Sequence, residues 1–269
     1  MLQIFRTKMP LSGGEIAFRV FTPDSYDTGS DSYPVLYLQD GQNIFTDEEA
    51  VDGHSWQFRN YYQKFRKFLP DVIIVAVDCP PSNELRTSFY IPFSRDFAGV
   101  GSTAYDGTVL GKGGDYISWI IEDLKPWIDR NYRTIPDAKF TAIGGDSSAG
   151  VLSLYAVVRH PLVFSRFLSL SGAFYIWYDF LEKEIDVSDF SIEYCYLDVG
   201  GRDQGRITNP EQFGEGNRLV YDKLVGLGFS ERQICYKVFP ADNHSNYCFG
   251  RRFPDALRWI FQDCIEKHS

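Results

Sequence analysis

Histidine is scarce in this chain, with four in 269 residues. They stand at His54, His160, His244 and His268, with no H-E-x-x-H or H-x-H spacing, so no metal centre is expected. Cysteine is sparse as well. Cys79, Cys195, Cys235, Cys248 and Cys264 form an odd set without a C-x-x-C pair. A chain this long does not need disulfide staples, so reduced thiols and a cytoplasmic setting are expected. Positive charge is in deficit: 27 Lys and Arg against 36 Asp and Glu leave a net charge of −9. Such a balance repels polyanions and argues against a nucleic-acid partner. No run approaches the roughly 18 apolar residues that would cross a bilayer, so no membrane association is expected. The opening residues carry charges with no apolar core behind them, unlike a signal peptide. Gly111-Lys112-Gly113-Gly114 lacks the order and context of a phosphate loop. Repeats, low-complexity tracts and long linkers are missing too, so residues 1–269 are expected to form a single domain.

What the chain does have is apolar and aromatic matter: 44% hydrophobic residues and 16% aromatics. The pattern alternates short apolar runs with helical periods. Runs at 15–21, 35–38, 72–77, 139–144, 167–170, 194–199 and 234–239 read as strands, and the β-branched 72–77 run suits a strand covered on both faces. Helices are expected near 56–68, 149–160, 215–227 and 252–265. The clearest is at 115–131, where Ile117, Ile120, Ile121, Leu124, Trp127 and Ile128 recur at 3/4 spacing. Residues 78–114 read as one long loop of the kind that is functional or mobile. Strands alternating with helices predict an α/β fold: a mostly parallel central sheet with helices on both faces. Ligands of such sheets sit at the carboxyl ends of the strands. The turns after residues 38, 77, 144, 170, 199 and 239 therefore share one rim.

The most informative stretch lies on that rim: Gly145-Asp146-Ser147-Ser148-Ala149-Gly150, between an apolar run and a helix. A serine in a small-residue strand-to-helix turn is a nucleophile elbow, as in α/β-hydrolases. Ser147 has Gly145 two before it and Ala149 two after. Ser148, the rival, has Asp146 two before it, where bulk should clash. A serine hydroxyl needs a base, and the base needs a group that fixes its tautomer. His244 stands just past the last strand, where this fold presents its base. His160 caps a helix end, His54 lies in an early loop and His268 in the tail. Asp203, after the 194–199 strand, is the expected acid. Asp198 lies inside the apolar run and suits a brace, and Asp242 reads as a turn residue. The order Ser147, Asp203, His244 is the chain order of the fold. Oxyanion donors are expected from the backbone N–H groups of Ser148 and of Gln42, in Asp40-Gly41-Gln42-Asn43. Asp40, Arg86 and Trp177 are the candidate substrate contacts, the last two from aromatic-bearing segments at 83–90 and 174–178 that leave the active rim.

With these residues in view, the chain resembles the putative-esterase family of α/β-hydrolases, which contains esterase D, feruloyl and acetyl-xylan esterases, enterochelin-type esterases and mycolyltransferases. Tyr37-Leu38-Gln39-Asp40-Gly41-Gln42-Asn43-Ile44-Phe45 matches its oxyanion-loop block. Gly113 to Tyr116 and Leu124 to Tyr132 match its helix before the nucleophile strand, and Thr141 to Ala156 its elbow. Tyr196 to Gly200 fit its acid turn, and His244 with Arg252 to Trp259 its histidine block. One departure stands out. The family's elbow reads G-x-S-M-G-G, whereas Ser148 and Ala149 occupy two of those places here. The resemblance implies hydrolysis of small acyl or aryl carboxylic esters through an acyl-enzyme, without a cofactor. Acyl transfer, or a binding module that keeps only the fold, are the alternatives. It fixes neither the ester nor the oligomeric state, which leaves a homo-oligomer open.

Overall fold

The computed structural model describes residues 1–9, 11, 13–80, 82–98 and 107–265. At its centre is an eight-stranded sheet. Its strands are β1 (Leu2–Met9), β2 (Gly14–Phe21), β3 (Val35–Gln39), β4 (Ile73–Val77), β7 (Thr141–Asp146), β8 (Arg166–Leu170), β9 (Tyr194–Arg202) and β10 (Ile234–Asn243). Arg95–Asp96 (β5) and Thr108–Val109 (β6) form a separate two-stranded ribbon. The spatial order is β1-β2-β4-β3-β7-β8-β9-β10. Strands β4, β3, β7, β8, β9 and β10 run parallel, and β2 and β1 add an antiparallel edge. The first strand was not evident in the sequence because Arg6 and Lys8 break its apolar pattern. Charges of that kind suit an edge strand, whose open side would otherwise template association.

Period-two alternation puts the core on both faces of the sheet. Val35, Tyr37, Ile73, Val75, Val77, Ile143 and Phe167 belong to one buried cluster. Their neighbours Leu36, Leu38, Ile74, Ala76, Ala142 and Leu168 belong to the other. Helices α1 (Phe58–Phe65) and α8 (Asn246–Ile260) close the second face through Phe58, Tyr62, Phe253, Leu257 and Ile260. The first face is covered by α2 (Asn83–Tyr90), α3 (Gly113–Trp119), α4 (Lys125–Asn131), α5 (Ser148–Arg159), α6 (Phe174–Val187) and α7 (Pro210–Gly226). A short α9 (Gln262–Ile265) ends the described chain. Each fully buried aliphatic or aromatic side chain in these clusters contributes about 1.5–3 kcal/mol.

Three expectations need correction. The 78–114 segment is not one long loop: it holds α2 and the β5–β6 ribbon, although 99–106 lie outside the described residues. Prolines at 80, 81 and 92 hid this helix, yet Ser82 starts it by accepting a hydrogen bond from the Leu85 N–H at 3.2 Å. The 174–178 segment, expected to offer Trp177 to substrate, forms the first turns of α6, whose Phe174, Trp177, Leu181 and Ile185 bury one helical stripe. The 115–131 helix is interrupted by a wide π turn at Ile120–Leu124. Pro126 follows it and has no N–H to donate to the residue four before it, so the turn widens there.

Candidate active site

The carboxyl ends of β3, β7, β8, β9 and β10 meet around one cavity of about 620 Å³. Asp40, Arg86, Asp146, Ser147, Ser148 and His244 all line it.

Ser147 is the residue at the elbow. Its backbone lies at φ 56, ψ −120, a conformation that costs of order 1–3 kcal/mol and persists only when the surroundings impose it. They do so here. The Ser147 N–H donates to the Leu170 carbonyl at 3.1 Å, and the Ser147 carbonyl accepts from Gly150 at 3.1 Å and Ala173 at 3.0 Å. Small neighbours let the turn close: a β-carbon on Gly145 would stand 2.5 Å from that of Ala149. Ser147 is half-buried and faces the cavity. Ser148 is buried as the first residue of α5, where a helix N–H has no partner within the helix and is free for an anion.

Opposite lies the turn after β3. Asp40 adopts a left-handed conformation (φ 58) and Gly41–Asn43 form one 3₁₀ turn. Gly41 is required by close approach, since a β-carbon there would lie 2.5 Å from the Ala76 carbonyl oxygen. The turn uses the Asn43 and Ile44 N–H groups, bonded to Asp40 and Gly41 carbonyls at 2.8 and 3.3 Å. The Gln42 N–H takes no part in those two bonds. Its side chain is locked instead, donating to Cys79 Sγ at 2.8 Å and accepting from the Cys79 N–H at 3.0 Å. Burial, with the nearby Asp40 charge, pushes the Cys79 thiol up to about 12, so it stays protonated in this role.

Asp203 follows β9 with its carboxylate fully buried. The Gly200 N–H donates to Oδ2 at 2.7 Å, and the other oxygen faces His244 Nδ1 at 3.7 Å. Burial pushes this carboxyl up, but the facing His244, the Ser171 hydroxyl and the Gly200 N–H together hold it below the usual carboxylate value. The His244 contact is longer than a hydrogen bond. Bonds of this kind are often loose without substrate and tighten on binding. The imidazole itself is braced between Phe213 and Phe249, with ring centroids 5.0 and 5.1 Å away. The rival acids have other partners. Asp198 accepts from the Ser171 N–H at 3.1 Å and pairs with Arg252 at 3.1 Å. Asp242 is not a mere turn residue: it is buried and pairs with Arg251 and Arg252.

The predicted substrate contacts divide. Arg86 reaches the cavity but is clamped by Asp40 through two bonds of 2.8 and 2.6 Å, with Tyr90 donating to the same carboxylate at 3.3 Å. Asp40 lines the wall as the anchor of Arg86. Trp177 does not line the cavity. It is 1% exposed and packs against Phe97, Phe180 and Arg95, because its helical stripe faces the core; its neighbour Ile176 reaches the cavity instead.

One cavity residue was not singled out from the sequence. Asp146 sits beside the elbow with its side chain 10% exposed, 3.6 Å from Arg86. Burial and the Asp40 charge push its carboxyl up to about 6, against the pull of Arg86 and His244. A carboxyl raised in the folded state stabilises the fold below its unfolded value of 3.8 and loses that contribution as pH rises through 6. Asp146→Asn is therefore expected to raise Tm by a few degrees at pH 8, about 1–3 kcal/mol, and to leave Tm unchanged near pH 4. Thermal melts across that range check it.

Among the described residues, no three His, Cys, Asp or Glu side chains gather in a way that could hold a metal ion, and no helix is long and apolar enough to cross a membrane.

Residues 10–260 match the family model described as "Putative esterase". The uncharacterized protein YbbA of Bacillus subtilis is 25% identical over 252 residues, which cover 92% of this chain and 93% of that protein. Among solved structures, a ferulic acid esterase superposes with a TM-score of 0.71 at 17% identity, covering 97% of this chain and 98% of the other. The BES protein from Bacillus cereus gives 0.69 at 20%, covering 96% and 95%. The enterobactin esterase FES from Shigella flexneri gives 0.74 at 17%, covering 98% of this chain but 59% of that one. These likenesses share the fold, and the family match spans nearly all of the present chain, which is an ester hydrolase belonging to the esterase family.

Proposed function

We propose that the chain hydrolyses small acyl or aryl carboxylic esters through an acyl-enzyme on Ser147. His244 takes the Ser147 proton as the hydroxyl oxygen attacks the ester carbonyl. The Ser148 and Gln42 N–H groups receive the negative oxygen of the tetrahedral intermediate. His244 then gives its proton to the leaving alcohol, and the carbonyl reforms as an acyl-serine. Water repeats the cycle, losing its proton to His244 and releasing the acid and free Ser147. Asp203 fixes the imidazole and stabilises its cationic form. The observation that carries this reading is the strained, cavity-facing Ser147, with His244 on the same cavity and a buried carboxylate behind that imidazole.

The cavity supports a moderately sized ester with hydrogen-bonding groups. Its volume is in the range of small-molecule sites, and among the described residues its phenyl and phenol lining is Phe213 and Phe249, both against His244. Asn43, Asn83, Gln204 and Asn246 supply polar walls. A fluorophosphonate probe is expected to label the protein once, with the adduct mapping by peptide mass to Ser147. Labelling elsewhere, or none, would overturn the reading.

A further inference from the structure

One cavity group is left unused by this chemistry. Cys79 lines the wall together with Asp40 and Asn43, the residues on either side of Gly41-Gln42. Strand β4 lies beside β3 in the sheet, so the turns that leave the two strands are neighbours. Their backbones are pressed together: a β-carbon on Gly41 would stand 2.5 Å from the Ala76 carbonyl oxygen and 2.9 Å from Asp78 Oδ1. The turn after β4 is anchored from its far side. The Asp78 N–H donates to the Ala17 carbonyl at 3.0 Å, and the Asp78 carboxylate pairs with buried Arg19, which also pairs with Glu49 at 3.2 Å.

Across this contact Gln42 and Cys79 exchange two hydrogen bonds. Gln42 Nε2 donates to Cys79 Sγ at 2.8 Å, and Gln42 Oε1 accepts from the Cys79 N–H at 3.0 Å. The arrangement is directional. Turned over, the amide would set its NH₂ against the Cys79 N–H, donor against donor, and lose both bonds. Gln42 is buried, and its side chain is fixed at both polar atoms. Two residues earlier, the Asp40 carboxylate is fixed by Arg86. Along the chain, the Gln42 peptide N–H stands between these two anchors.

We infer that Cys79 is a positioning residue for the oxyanion donor: its N–H and its sulfur hold the Gln42 side chain, and through it the Gln42 peptide, in register with the Ser147 elbow. The inference rests on the Ser147–His244–Asp203 reading with Gln42 as a donor, and extends it to the group that aims that donor. Sulfur is a weak acceptor, so its bond adds little to the stability of the fold. Its effect lies in aim. An oxyanion donor acts only where it meets the oxygen of the tetrahedral intermediate, and losing one outright costs about 10²–10³ in kcat.

Cys79→Ala tests this, because it removes the sulfur and keeps the N–H. With p-nitrophenyl butyrate, kcat is expected to fall about tenfold, with KM within about twofold and Tm within a few degrees of the parent. Cys79→Ser gives Gln42 Nε2 an acceptor again and should keep kcat within about threefold of the parent. Butylboronic acid, which adds to a serine hydroxyl as a tetrahedral mimic, should inhibit Cys79→Ala about tenfold more weakly. In a Gln42→Ala background the peptide N–H remains but there is no amide to hold, so Cys79→Ala should change kcat by less than about twofold. An unchanged kcat in Cys79→Ala would overturn the inference. So would an equal loss in Cys79→Ser, a tenfold loss repeated on Gln42→Ala, or a fall in kcat with boronate inhibition unchanged. Ser147→Ala in the same assay separates the two levels. If Ser147→Ala is inactive and Cys79→Ala is not impaired, this inference alone fails. If Ser147→Ala still turns over, the underlying reading fails and takes this one with it.

Discussion

Ser147→Ala is expected to lower turnover of p-nitrophenyl butyrate by at least about 10⁴-fold while leaving the fold intact. Without the hydroxyl no acyl-enzyme can form. The residual rate is what the oxyanion donors and ester binding give with water as nucleophile. Stability should move little. The lost hydroxyl faces the cavity, and the bonds that impose the elbow come from the Ser147 backbone, which alanine retains. The positive φ is not relieved either, since alanine also carries a β-carbon. Ser148→Ala is the matched comparison. Its proposed contribution is a backbone N–H, which alanine keeps, so it should stay within about tenfold of the parent. Steady-state rates of both variants decide the matter, and activity that survives in Ser147→Ala but vanishes in Ser148→Ala would reverse the assignment.

The place of the strained elbow could be read in the sequence because it is a question of space. A strained turn tolerates glycine and alanine two residues away on either side and not aspartate, and the backbone strain falls on Ser147. The parallel sheet was legible for a similar reason: runs such as Ile73–Val77 are covered on both faces, leaving a continuous apolar signature. Polar partnerships were not legible. Asp146, Asp198 and Asp242 are each one acidic residue in a turn or strand end, and the sequence carries no sign that two of them meet arginines more than 45 residues distant. Trp177 shows the opposite failure. Its aromatic segment was read by composition, whereas its helical period, shared with Phe174, Leu181 and Ile185, already pointed to the core. The first strand alone escaped from the antiparallel edge, because only Met9 of its eight residues is buried and no continuous apolar run marks it.

Asp203→Asn carries the second large effect: a loss in kcat of about 10³–10⁴-fold with little change in KM. The carboxylate accepts from the Gly200 N–H and faces His244 Nδ1. An amide in its place can present an N–H to the imidazole, favouring the wrong tautomer, and it cannot offset the charge that His244 acquires in the transition state. Asp198→Asn separates catalysis from bracing. Asp198 is fully buried, and the group serves as the partner of a fully buried guanidinium. Neutralising it leaves Arg252 with only the longer 3.7 Å contact to Asp242 as a charged partner among the described residues. Breaking a buried pair in this way typically costs about 3–5 kcal/mol. The two aspartates should therefore fail in different measurements, Asp203→Asn in turnover at near-parent Tm and Asp198→Asn first in denaturant or thermal unfolding. A variant pair with the opposite pattern would make Asp198 the acid and Asp203 the brace.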